Sequence, residues 1–141
     1  MNDVLLKDIM CEHPITVKED VTVGTVAHLL LRYRINGILV VSKDDAQKLI
    51  GVFTTTDLLH LLDEACASNE GKQHILKCFA KESVGQRACK QIVSLQARET
   101  VAQAISVMHE RNVHTIPIFD NDKIVGVIGR HDVLNIALSD T

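Results

Sequence analysis

The chain repeats itself, and that repetition limits its possible folds more than any other feature. Pro14-Ile15-Thr16-Val17 aligns with Ile92-Val93-Ser94-Leu95 at an offset of 78 residues, which also pairs Cys11 with Cys89, Thr22 with Thr100, Val23 with Val101 and Ile38 with Ile116. A loop three residues shorter in the second copy changes the offset to 75 and pairs Gly51 with Gly126, Val52 with Val127, Asp57 with Asp132 and Leu59 with Leu134. A period above the roughly 20–50 residues of solenoid repeats reads as a duplicated domain.

Each copy predicts the same order of elements. A short β-branched strand (Ile15 to Val17; Ile92 to Leu95) precedes an amphipathic helix. Thr22 caps the first helix, with Val23, Val26, Ala27, Leu30 and Leu31 on one face; Thr100 caps the second, with Val101, Ala104, Ile105 and Met108 inside. Two strands joined by a polar turn follow, Gly37 to Val41 and Leu49 to Phe53, then Thr115 to Phe119 and Lys123 to Ile128. Asp57 or Asp132 then opens a helix, Leu58 to Ala65 or Val133 to Leu138. The fold class is α/β (α+β), with β-α-β-β-α twice. The units are expected at 1–65 and 83–141, with a linker at 66–82 that holds the polar joint Ser68 to Lys72 and a short helix, Ile75 to Ala80.

Composition narrows the function. One Tyr, three Phe and no Trp leave an aliphatic core and no stacking platform for single-stranded nucleic acid. A net charge of −3 argues against polyphosphate-backbone binding. No run approaches the ~20 apolar residues of a membrane helix, and MNDVLLKDIM does not read as a signal peptide. The expectation is a cytoplasmic protein in which Cys11, Cys66, Cys78 and Cys89 are free thiols.

The strand-to-helix segments Gly51-Val52-Phe53-Thr54-Thr55-Thr56-Asp57 and Gly126-Val127-Ile128-Gly129-Arg130-His131-Asp132, within duplicated β-α-β-β-α units, resemble the cystathionine-β-synthase (CBS) domain. Val113-His114-Thr115-Ile116-Pro117-Ile118-Phe119-Asp120 is similar to that family's second strand, and the resemblance runs from about Val4 to Leu138. It implies a tandem pair, a Bateman module, packed through its sheets with pseudo-twofold symmetry. It also implies two clefts that take adenine nucleotides (AMP, ADP or ATP), the ribose held by the motif Asp and the phosphate near the motif Thr or Ser.

The resemblance implies a first site of Asn36, Val52, Thr54, Thr56 and Asp57, with Ala88, Gln91, Val93 and Val113 from the opposite unit. It implies a second site of His114, Val127, Gly129, Arg130, His131 and Asp132, with Met10, His13, Ile15 and Ile35 from the opposite unit. A carboxylate can accept from both ribose hydroxyls, Thr54 and Thr56 offer hydroxyl donors, and a helix start favours an anion. Thr-x-x-Asp before an apolar helix is equally a cap, and Val93, Val113, Ile15 and Ile35 equally read as sheet core. Gly129 stands where the family usually has Ser or Thr, a loss that His114, Arg130 and His131 could offset with charge.

His60, Cys66, His74, Cys78 and Cys89 fit no compact zinc spacing, so no metal is expected. No catalytic motif or glycine-rich phosphate loop occurs, so no enzyme activity and no required cofactor are expected. The leading reading is a regulatory module that binds an adenine nucleotide and signals to a separate enzyme, channel or transporter, without nucleic acid or membrane insertion. Leu29, Leu30, Leu31, Ile105, Val107 and Met108 exceed one narrow stripe and suggest a homodimer. The alternatives are a structural dimerisation module, an S-adenosylmethionine or NAD site in the same place, and a His/Cys metal sensor.

Overall fold

The computed structural model describes residues 2–67 and 71–139; Ser68, Asn69 and Glu70 of the expected polar joint lie outside the described residues. A 3-10 turn at Leu6–Asp8 is followed by β1 (Thr16–Lys18), α1 (Val23–Tyr33), β2 (Gly37–Val41), β3 (Leu49–Thr54) and α2 (Thr55–Ala67). Then come α3 (Lys72–Lys81) and α4 (Val84–Arg87). The second copy is β4 (Leu95–Gln96), α5 (Val101–Arg111), β5 (Thr115–Asp120), β6 (Lys123–Gly129) and α6 (Arg130–Leu138). The order β-α-β-β-α stands twice, as the sequence predicts. In each copy the first strand runs parallel to the second and the second antiparallel to the third, so the orders are β1-β2-β3 and β4-β5-β6.

Local chemistry explains the helix ends. Thr22 Oγ1 accepts the Thr25 amide, and Thr100 Oγ1 accepts the Gln103 amide, each at 3.3 Å; Gln103 returns the bond by accepting the Thr100 amide at 2.8 Å. Such a reciprocal pair satisfies two amides that a helix start leaves without partners. Both helices end on a left-handed residue, Arg34 and Asn112, again 78 positions apart.

The compact units do not follow the sequence repeats. One unit is Ile15–Ile92; the other joins Met1–Pro14 to Val93–Thr141. These compact units cut across the repeats expected at 1–65 and 83–141, because each repeat's leading segment packs on the other repeat's sheet and helices. The bonds match pair by pair. Leu6 and Lys7 donate to Glu99 and Ala97, and Cys11 donates to Val127 at 2.9 Å; Val84 and Gly85 donate to Val21 and Glu19, and Cys89 donates to Val52 at 2.9 Å. Within the expected linker, α3 lies against α1 and α2.

Each unit has its own aliphatic core. In the first, Val17, Val23, Val26, Leu30, Ile38, Val40, Phe53 and Leu61 enclose Val84 and Ala88 of the exchanged segment. In the second, Leu6 joins Val101, Ala104, Ile116, Ile118, Ile128 and Val133. Leu31 and Ile105, expected inside, are exposed, while Leu30 is core and Leu29, Val107 and Met108 pack against their own unit's core. At the end of an eleven-residue helix, 3.6-residue periodicity cannot say which of two adjacent leucines turns inward.

Candidate functional site

The last residue of β3 is Thr54, and α2 begins at Thr55, so Asp57 is the third helical residue rather than the first. The Thr54 amide and hydroxyl both donate to Asp57 Oδ2, at 2.8 and 3.0 Å, and the Asp57 amide donates to Thr54 Oγ1 at 3.3 Å. The capping reading of the motif is therefore present in the geometry. It fixes the carboxylate, and among the described residues Oδ1 accepts no hydrogen bond. Asp57 and Thr54 are half-buried and Thr56 is exposed. The Thr55 amide is already bound to the Asn36 carbonyl at 2.8 Å. The Thr54 hydroxyl proton is committed to Asp57, so among the described residues the donors left open at this helix start include the amide and hydroxyl of Thr56.

The second motif repeats this frame with different side chains. The Gly129 amide donates to Asp132 Oδ2 at 2.8 Å, and the Arg130 amide donates to the His114 carbonyl at 3.1 Å. Gly129 has no hydroxyl, so half of the reciprocal pair is missing. Arg130 and His131 are exposed, and His114 and Asp132 are half-buried.

The motif glycines serve the exchanged segments. A Cβ on Gly51 would lie 2.6 Å from the Cys89 carbonyl oxygen, and one on Gly126 would lie 2.6 Å from Met10 Sδ and 2.7 Å from the Cys11 carbonyl oxygen. Val52 and Cys89 exchange two backbone bonds, as do Val127 and Cys11. Each exchanged segment thus closes the open edge of a three-stranded sheet.

Unit membership regroups the expected residues. Asn36, Val52, Thr54, Thr56, Asp57, Ala88 and Gln91 share one unit, because the exchange brings Ala88 and Gln91 of the second repeat into it. Val93 and Val113 belong to the other unit. Likewise Met10, His13, His114, Val127, Gly129, Arg130, His131 and Asp132 share one unit, and Ile15 and Ile35 belong to the other. Ala88 is 7% exposed and part of the core, Val52 is 9% exposed, and Gln91 and His13 lie at the surface. Ile15, Ile35, Met10 and Val113 pack against their own unit's core.

Sequence reasoning missed an ion pair beside α2. Arg87 Nε and Nη2 donate to the two Glu82 carboxylate oxygens, the second at 3.1 Å; its guanidinium lies 4.9 Å from the Phe79 ring centroid and 4.0 Å from Glu64 Oε2. Those hydrogen bonds, against a smaller opposing effect of burial and with the help of the Arg87 charge, hold Glu82 below its ordinary value; the same bonds raise Arg87. The spacing of five residues gave no helical signal, because the two lie in different elements.

Among the described residues no three His, Cys, Asp or Glu side chains converge on a metal-sized site. His74 Nε2 and Cys78 Sγ lie 3.8 Å apart on α3, and Cys66 and Cys89 are exposed. No described helix is long and apolar enough to cross a membrane.

Comparison with known proteins agrees with this architecture. The CBS domain family matches residues 6–64 and 84–139. The chain is 28% identical over 134 residues to inosine-5'-monophosphate dehydrogenase of Methanocaldococcus jannaschii, a match covering 94% of this chain and 22% of that protein. It spans 22% of the length of that dehydrogenase and of L-aspartate semialdehyde sulfurtransferase of the same organism. The crystal structure of CBSX2 in complex with AMP superposes with a TM-score of 0.77 at 21% identity, covering 97% of this chain and 98% of that one. The CBS domain pair of protein MJ0100, in complex with 5'-methylthioadenosine and S-adenosyl-L-methionine, gives a TM-score of 0.77 at 22% identity, covering 98% of both chains. With two matched segments, the exchanged leading segments and both strand-to-helix motifs in place, the chain belongs to the CBS domain family as a tandem pair.

Proposed function

We propose that this chain is a regulatory module that binds an adenine nucleotide at the Thr54–Asp57 motif and transmits its occupancy to a partner protein. The observation that carries this reading is the Asp57 carboxylate. Asp57 is half-buried at a helix start, one of its oxygens is fixed by Thr54, and among the described residues the other accepts no hydrogen bond. A ribose diol can donate to such an oxygen, and the Thr56 amide and hydroxyl can donate to a phosphate. The structures of CBSX2 with AMP and of the MJ0100 pair with two adenosine derivatives support an adenosine ligand. The latter favours a second reading for the same residues, S-adenosylmethionine in place of a nucleotide.

Ligand binding shifts a conformational equilibrium only by its differential affinity for the two states, and the partner reads that difference as a coupling free energy. The partner is an enzyme, channel or transporter, either as a separate chain or as further sequence. Thermal unfolding with AMP, ADP, ATP, S-adenosylmethionine and NAD tests the ligand class. A ligand at 100 times its Kd stabilises by about 2.7 kcal/mol; no shift with any of the five rejects the reading. We further propose a cytoplasmic homodimer. Leu31 on α1, Leu59 on α2, Ile105 on α5, and Leu134 and Leu138 on α6 are exposed apolar side chains that a second copy would cover. Sedimentation showing a strict monomer at micromolar concentration rejects it.

A further inference from the structure

We infer that the second motif, His114 with Gly129 to Asp132, selects adenosine ligands that carry more phosphate charge than those the first motif takes. This inference rests on the nucleotide-binding reading above and names the ligand class of its second site.

The duplication supplies an internal control. The two frames carry equivalent bonds: Thr55 amide to Asn36 carbonyl against Arg130 amide to His114 carbonyl, and Thr54 amide to Asp57 against Gly129 amide to Asp132, both of the latter at 2.8 Å. The backbones are therefore alike, and the difference lies in the side chains. Asn36, Thr54, Thr55 and Thr56 are neutral, whereas His114, Gly129, Arg130 and His131 replace them with a guanidinium and two imidazoles.

Two further observations give that substitution a direction. Among the described residues Arg130 has no ion pair or hydrogen bond from its side chain, in contrast to Arg87, which is held by Glu82, Glu64 and Phe79. Gly129 is not imposed by the backbone. Its φ is −107°, and a Cβ there would find its nearest atoms, Asp132 Oδ2 and the His114 carbonyl oxygen, at 3.7 Å. The place that a threonine fills at position 54 is thus open at position 129, next in sequence to an exposed arginine. A planar guanidinium can bind phosphate oxygens through two parallel N–H bonds, which a threonine hydroxyl cannot do. AMP brings one phosphate group and ATP three, so the charge-assisted bonds accumulate with phosphate number.

Titration calorimetry of the full chain with AMP and with ATP, in EDTA at two salt concentrations, tests this. Asp57→Asn weakens the first motif while keeping a side chain that accepts from Thr54. In that background ATP is expected to bind at least about tenfold more tightly than AMP, with a ratio that rises at low salt. Adding Arg130→Thr, alone or with Gly129→Thr to rebuild the first motif's cap, lowers ATP affinity more than AMP affinity and brings the ratio to within about threefold. If AMP and ATP still bind and Arg130→Thr leaves their ratio unchanged, the charge selection is wrong and the nucleotide reading stands. If neither the unmodified chain nor any variant binds either nucleotide, both fall.

Discussion

Thr54 and Asp57 hold each other across the start of α2: two donors of Thr54 converge on Asp57 Oδ2 at 2.8 and 3.0 Å, and the Asp57 amide donates back to the Thr54 hydroxyl at 3.3 Å. Capping and ligand binding are therefore joint properties of one carboxylate. The cap fixes the rotamer, so little side-chain freedom is left to lose when a ligand arrives.

The cap has a measurable stability. Asp57→Ala removes both bonds to Oδ2 and is expected to cost about 1 kcal/mol. Asp132→Ala removes the one bond from the Gly129 amide and is expected to cost less. Urea denaturation of the two variants measures the difference; equal losses would mean that the Thr54 hydroxyl adds nothing to the cap.

The glycines at the edge bridges are required by space. Gly51→Ala places a Cβ 2.6 Å from the Cys89 carbonyl oxygen, which can move only by breaking the Val52–Cys89 pair. A loss of about 1–3 kcal/mol is expected, as for other overpacked sites. Gly129→Ala meets nothing closer than 3.7 Å and is expected to be neutral or slightly stabilising. Thermal unfolding of the two variants checks the contrast.

The Glu82–Arg87 pair contributes stability with a defined pH dependence. Glu82 is held below its ordinary value of 4.5 in the folded chain. Its contribution is complete above that unfolded value and disappears as pH falls through the lower folded value. Side chains of this exposure contribute about 0.2–1 kcal/mol. Glu82→Gln should therefore be less stable than the unmodified chain at pH 7, with the gap closing as pH drops below about 4.5. A gap independent of pH, measured by urea unfolding at several pH values, would show that the carboxylate charge is not its source.

Leu6 and Val84 mark where sequence reasoning stopped. Both are fully buried and lie 78 residues apart at matching places, Leu6 in the core built on 93–141 and Val84 in the core built on 15–92. A duplicated sequence carries the same apolar pattern whether a leading segment packs on its own repeat or on the other, so the exchange was not legible. The element order, the caps at Thr22 and Thr100 and the Asp57 motif were legible, because periodicity and capping chemistry are local. The Cys89–Val52 and Arg87–Glu82 contacts depend on the exchange or on packing between elements. Leu6→Ala is expected to cost about 2–5 kcal/mol. Hydrogen exchange should show the loss of protection in α5, β5 and β6; a loss confined to α1, β2 and β3 would mean that the segment packs on its own repeat.

The most direct test of the central claim is calorimetric titration of AMP into the unmodified chain and into Asp57→Ala, with folding of the variant verified by circular dichroism. Charge-assisted bonds from the ribose hydroxyls contribute about 1.5–3 kcal/mol each, and tenfold in affinity is about 1.4 kcal/mol. The account predicts AMP binding to the unmodified chain and at least tenfold weaker binding to Asp57→Ala. A folded Asp57→Ala that binds AMP as tightly as the unmodified chain would contradict it.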